Sequence, residues 1–270
     1  FTTYYENVLP FRAGVLDEDK LLSLTSARFN RVREREGFHV ESLSDASFNA
    51  WTHLYKQTPD SAYCQASYYG KGAVLAFMLD AALRKAGFSL DEVLKTWFHE
   101  ALADPQARSL PDGGFFERIP VASIAERFKK LVTSSDRTLW ENEWRCALST
   151  LGMSEEADKN TPASRMHLGL QLDGLRVRYA ESRGSAYAAG LFAGDEIIAV
   201  NGLRADAATI ERMIAQAKGS TVHIHYFREH LLRSAEIEIP VNPLPQPGTL
   251  KMKNPTEFGR AWIRSSNRQA

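Results

Sequence analysis

The hydrophobic period changes once along this chain, and that change limits the fold more than any other feature. Up to about residue 151 the apolar side chains recur every three or four residues, the rhythm of amphipathic helices. From His167 they alternate every second residue, the rhythm of half-buried strands. Helices first and strands after predict an α+β chain with two modules, not an alternating α/β sheet. The length, 270 residues, agrees with about two domains.

In the first part, residues 1–151, Asp17 to Glu36 carries Leu21, Leu22, Leu24, Phe29 and Val32 among charges, with Gly37 as a stop. Ser44 to Gln57 places Phe48, Trp51, Leu54 and Tyr55 on one helical face, and Pro59 ends it. Gly72 to Ala86 is nearly all apolar and reads as a helix buried in a core. It falls short of the roughly 18–20 residues of a membrane span. Ser89 and Glu92 stand at capping-box spacing before Val93, Leu94, Trp97 and Phe98. Residues 104–114 read as a loop, and helices are predicted over Val121–Val132 and Asp136–Leu151. Residues 152–165 are polar and turn-rich, as a linker is.

Residues 166–241 are predicted to form a compact module. Strands are expected at 175–179, 196–200, 221–227 and 235–239, with one helix from Asp206 to Ala217. The tail, 242–270, begins with Pro243, Pro245, Pro247 and Pro255, an extended strap, and ends in Phe258, Trp262 and Ile263, which could dock as a helical turn.

Thirty-three basic residues balance thirty-three acidic ones. Residues 165–241 hold nine of each, so neutrality hides no basic patch there. The charge argues against nucleic acid as a partner and against a polybasic membrane anchor. Cys64 and Cys146 are too few for a disulfide framework; two buried thiols are the expectation, a single bridge the alternative. The chain opens on Phe1, which predicts that sequence precedes it, and nothing in it assigns a compartment.

The second module carries motifs in a specific order. Leu168-Gly169-Leu170, Gly184-Ser185-Ala186, Ala193-Gly194-Asp195-Glu196 and Asn201-Gly202 together resemble a bacterial PDZ domain, a β-sandwich. The resemblance implies that the backbone amides of Leu168, Gly169 and Leu170 hold a peptide carboxylate. It implies too that Ile210, Met213 and Ile214 of the following helix receive an apolar C-terminal side chain. A structural spacer or gate without affinity for free termini is an equal alternative.

In the first module, Phe1-Thr2-Thr3-Tyr4-Tyr5, Ala46 to Trp51, Ser67 to Ala73 and Ser89 to Val93 resemble the glycyl aminopeptidases. These are gluzincin metallopeptidases with a thermolysin-like catalytic domain and a C-terminal PDZ domain. The resemblance covers residues 1–100 well and 101–150 poorly. It implies a zinc enzyme that removes small N-terminal residues such as Gly or Ala from peptide substrates, Zn²⁺ activating a water. A gluzincin needs His-Glu-x-x-His and a downstream Glu. None of the histidines at 39, 53, 99, 167, 223, 225 and 230 begins that motif; after His99-Glu100, Ala103 stands where the second His belongs. His223 and His225 share a strand face but lack a third ligand. The expectation is therefore that this chain binds no metal and is inactive alone. The zinc ligands would lie upstream of Phe1, in an N-terminal part of the same protein.

One catalytic residue is expected here. In gluzincin aminopeptidases a Tyr-x-Lys-Gly segment precedes a buried helix, and its Tyr stabilises the tetrahedral oxyanion. Tyr69, Lys71 and Gly72 match it. The resemblance makes Tyr69 the donor, Tyr68 a packing residue, and Tyr4 and Tyr5 candidates for lining the cleft. A rival from another class is a non-catalytic PDZ peptide-binding module on a helical support; a protease-regulating chaperone is weaker.

Overall fold

The computed structural model describes residues 1–104, 114–246 and 248–264. Most of the loop expected at 104–114, and residues 247 and 265–270 of the tail, lie outside the described residues. The protein is α+β, with antiparallel strand pairing among the described residues. It divides into two compact units. One comprises Phe1–Lys56, Gln65–Glu156 and Gly248–Ala270, the other Gln57–Cys64 and Ala157–Pro247.

The first unit is built around α5 (Tyr68–Lys85), whose Ala73, Val74, Ala76, Phe77, Met78, Leu79, Ala81 and Leu83 are buried. Its apolar run leaves no polar face, so it takes neighbours all round. Against it pack α1 (Thr2–Arg12), α2 (Glu18–Arg33), α3 (Leu43–Phe48), α6 (Leu90–Ala103), α7 (Ala122–Thr133) and α8 (Arg137–Leu151). Local capping sets several boundaries. Asp17, Ser89 and Asp136 accept hydrogen bonds from the first backbone N–H groups of α2, α6 and α8.

Two local readings are overturned. Gly37 is not a helix stop. It sits in a 3₁₀ turn, Glu36–His39, pressed against the Gln65 backbone, where a Cβ would come within 2.1 Å of the Gln65 carbonyl oxygen. The helix expected through Gln57 ends at Phe48, and Asn49 starts a run of turns in which His53 N–H donates to Asn49 O. Phe48 and Trp51 consequently stand 88% and 78% exposed. Cys64 and Cys146 are both exposed, without a disulfide, which corrects the expectation of buried thiols.

The tail residues 248–264 belong to this unit too. β8 (Thr249–Lys251) pairs antiparallel with β1 (Ser154–Glu156), so the predicted linker contains a strand. Leu250 N–H donates to Ser26 Oγ and Asn30 Nδ2 to Gly248 O. Helix α11 (Glu257–Ile263) then buries Trp262. Its approach is close: a Cβ on Gly259 would lie 2.0 Å from Leu151 O, so only glycine fits.

The second unit is an antiparallel sheet in the order β2 (Leu170–Asp173), β3 (Arg176–Ala180), β4 (Glu196–Val200), β6 (Thr221–Arg228), β7 (Leu231–Glu238), with β5 (Leu203–Arg204) beside β4. Asn201 and Gly202 have φ of 48° and 77°, the positive values that a two-residue hairpin between β4 and β5 requires. Two short helices, α9 (Ser185–Ala188) and α10 (Ala207–Gln216), complete the unit. Val222, Ile224 and Tyr226 alternate inward from β6 as the sequence period predicts. Residues 57–64, which include α4 (Ser61–Cys64), join it, with Tyr63 OH donating to Ala180 O at 2.7 Å.

Candidate active site

Tyr69 lies in the first turn of α5, where Ser67 caps the helix by accepting from Gly70 N–H. The position is solvent-facing: Tyr69 is 46% exposed. Its hydroxyl is 2.8 Å from that of Tyr55. The Tyr68 and Tyr69 rings lie 4.1 Å apart, and Trp51 and Tyr55 5.0 Å apart. Trp51, Tyr55 and Tyr69 are exposed and Tyr68 partly buried, at the start of a buried helix. The hydrogen bond with Tyr55, and then that with Tyr68, lowers the Tyr69 pKa below the ordinary phenol value. Tyr68 moves the other way, raised by its own hydrogen bonds with Tyr55 and Tyr69.

Lys71 has a different task from Tyr69. Its side chain is wholly buried, and Nζ donates to Phe38 O at 2.5 Å and Glu41 O at 2.7 Å. The ammonium also lies 4.7 Å from the ring centres of Phe38 and Trp140. Burial pulls its pKa down to about 8, against the opposing charges of Glu41 and Asp45. Lys71 therefore pins residues 38–41 to α5. Glu41 is buried as well. Its Oε1 is 2.7 Å from His53 Nδ1, and its Oε2 accepts from Ala66 N–H at 2.7 Å.

Tyr4 and Tyr5, the candidates for lining the cleft, face carboxylates inside the first unit. Tyr4 is buried; its hydroxyl donates to Asp80 Oδ2 and accepts from Trp262 Nε1, each at 2.7 Å. Tyr5 is half-buried and donates to Asp91 Oδ1 at 2.7 Å. Both belong to an ionic network with Arg12, which bonds Asp91 at 2.9 Å, and Arg84, which bonds Asp80 at 3.1 Å. Burial and the neighbouring carboxylates push both phenols well above their usual range. Adjacent tyrosines near a helix start look alike in sequence, whether they face a cleft or a buried Asp.

In this network burial pushes Asp91 up, but Arg12, Tyr5 and Arg84 together outweigh it and hold its carboxyl below the usual range. A carboxyl depressed in the folded state adds stability above its unfolded pKa and loses it as pH falls through the folded value. Asp91→Asn should therefore cost stability at pH 6, and the difference from the parent should shrink as pH drops below about 4. Urea midpoints from pH 6 to pH 2 measure this. A constant difference across that range would reject the linkage.

In the second unit, Leu168 and Leu170 are fully buried. Gly169, at φ 74°, ends a helical turn (Ser164–Leu168), and its N–H already donates to Arg165 O and Ser164 O. The turn is closed on its other side by Leu244, whose N–H donates to Met166 O. Ile210 and Ile214 are fully buried in the unit's core, with Met213 packed partly buried against it. Of the three candidates for receiving an apolar side chain, the i, i+4 pair Ile210 and Ile214 is used by the core, and Met213 lies at its border. Asp195 is likewise a fold residue, gripped by Arg228 through two 2.8 Å contacts and accepting from Phe192 N–H.

His223 and His225 have ring centres 4.4 Å apart. Among the described residues no group of three or more His, Cys, Asp or Glu side chains is placed to hold a metal ion. Nor is any described helix long and apolar enough to cross a membrane. No motif marks Tyr55, His53 and Glu41 as neighbours of Tyr69 and Lys71. The only local signal was the crowding of Trp51, His53 and Tyr55 within five residues.

Residues 1–75, which carry Tyr55, Tyr69 and the Lys71 clamp, match the model of the M61 glycyl aminopeptidase family. No curated protein matches the chain. Among solved structures, the chain is similar to a crystal structure of an aminopeptidase N family protein from Idiomarina loihiensis, with a TM-score of 0.80 and 26% identity. That match covers 97% of this chain and 47% of the other, so the chain spans about half the length of this solved relative. The chain is thus similar to the glycyl aminopeptidases over its N-terminal helices and to an aminopeptidase-family structure over nearly its whole length.

Proposed function

We propose that this chain is the C-terminal part of a zinc aminopeptidase of the gluzincin type, acting on peptides with small N-terminal residues, and that Tyr69 is its oxyanion donor. The observation that carries this reading is the solvent-facing Tyr69 hydroxyl at the start of α5, inside the segment that matches the M61 family. On this reading the zinc ligands belong to a part of the protein outside these 270 residues. This chain's own contribution is a neutral phenol. When water adds to the scissile carbonyl, negative charge gathers on the carbonyl oxygen, and a fixed O–H aimed there stabilises it without competing as a base. The test is Tyr69→Phe in the zinc-bearing protein, read as kcat on a glycyl anilide.

For residues 166–241 we propose a PDZ-type module that works as a spacer or gate rather than as a carboxylate trap. The closed Gly169 turn and the buried Ile210 and Ile214 support this. Titration of the chain with one apolar peptide, as free acid and as C-terminal amide, should give no saturable binding below about 1 mM for either, a weak interaction on the affinity scale. Micromolar binding of the acid alone would restore the peptide-capture reading.

A further inference from the structure

We propose that Tyr55 is a positioning residue that donates its hydroxyl hydrogen to Tyr69, and that Glu41 fixes the two tyrosines in register; this rests on Tyr69 being the oxyanion donor. A phenol has one hydrogen to give. At 2.8 Å, one of the two hydroxyls must donate to the other. Only if Tyr55 donates does Tyr69 keep its own hydrogen for a substrate oxygen. Accepting a hydrogen bond also polarises the Tyr69 O–H and makes it the better donor.

The two rings are on different segments, and both are about half exposed, Tyr55 at 51% and Tyr69 at 46%. Exposed phenols of this kind would wander among rotamers unless their backbones were held. Glu41 supplies the hold. Its Oε1 meets His53, two residues before Tyr55, and its Oε2 accepts from Ala66 N–H, three residues before Tyr69. Its backbone oxygen accepts from Lys71 Nζ, two residues after Tyr69. One buried residue thus ties the turn bearing Tyr55 to both flanks of Tyr69. Each ring is also backed by a second aromatic ring, Trp51 behind Tyr55 and Tyr68 behind Tyr69. Orientation of a reacting group within a fraction of an ångström is what such bracing provides.

The experiment has two arms. In this chain, tyrosines labelled at Cζ are titrated by NMR. Tyr69 should ionise below a free phenol, and Tyr55→Phe should raise it by roughly half a pH unit or more, since the bond that favours its anion is gone. Glu41→Gln should raise it in the same direction by loosening the pair. In the zinc-bearing protein, Tyr55→Phe should lower kcat roughly tenfold with KM little changed, and should cost nothing further in a Tyr69→Phe background. An unmoved Tyr69 titration, or losses that simply multiply, would overturn the positioning role. If instead Tyr69→Phe alone leaves kcat unchanged, the oxyanion reading fails, and with it the catalytic use of the pair. The titration still decides whether Tyr55 donates to Tyr69.

Discussion

Replacing Tyr69 by Phe in the zinc-bearing protein should reduce kcat by about 10²–10³ and leave KM nearly unchanged. The split follows from when the bond is made. The carbonyl oxygen of a bound peptide is a modest acceptor; in the tetrahedral transition state it carries most of a charge. A hydroxyl that meets it only then lowers the barrier without tightening ground-state binding. The substitution removes one oxygen from a 46% exposed ring, so folding should be untouched, and thermal unfolding of the variant is the control. Unchanged kcat in a correctly folded variant would remove Tyr69 from the chemistry and leave it as part of an aromatic surface.

Asp80→Ala should destabilise the first unit by about 3–5 kcal/mol. Asp80 is wholly buried in α5. Its Oδ1 accepts from Leu90 N–H at 2.9 Å, and its Oδ2 takes Tyr4 OH at 2.7 Å and Arg84 Nε at 3.1 Å. Removing it takes the buried acceptor from Tyr4 OH and Leu90 N–H, and leaves the Arg84 guanidinium with only Ala261 O at 3.1 Å and Asp91 at 3.5 Å. Such a loss is a large share of the 5–15 kcal/mol that holds a typical domain. Asp80→Asn keeps the shape and an acceptor for Leu90 while removing the charge, and should cost less. All five tryptophans, at 51, 97, 140, 144 and 262, belong to the first unit. Urea unfolding followed by tryptophan fluorescence therefore reports on that unit alone. A loss under about 1 kcal/mol would mean that the network relaxes around the gap.

These two residues differ in how far the sequence announces them. Tyr69 stands in a short motif beside an apolar run, so its place at a helix start can be read locally. Asp80 sits inside that run; helical spacing announces its i+4 partner Arg84, but nothing near it points to Tyr4, 76 residues away. Through Tyr4 it reaches Trp262, 258 residues from that tyrosine. The carboxylate partners of Tyr4 and Tyr5 are equally unmarked in the sequence. Phe48 and Trp51 fit a helical face by spacing, yet α3 ends at Phe48 and both rings stay in solvent. A periodicity reports which side chains could share a face, not whether that face meets a core.

By itself the sequence determined what depends on neighbours within a turn or two. Asp17, Ser89 and Asp136 start helices because their oxygens reach amides two or three residues on. The apolar run of α5 had to be a core helix, and alternation in β6 had to place Val222, Ile224 and Tyr226 on one side. Tertiary structure alone decided which polar groups those elements bring together. It set the Tyr55–Tyr69 contact, the Glu41 brace, the bond from Leu244 to Met166 and the tail strand paired with Ser154–Glu156. Each is a contact between distant segments, made favourable by desolvation and shape once the chain has closed, and such closure leaves no periodic trace in the residues that meet.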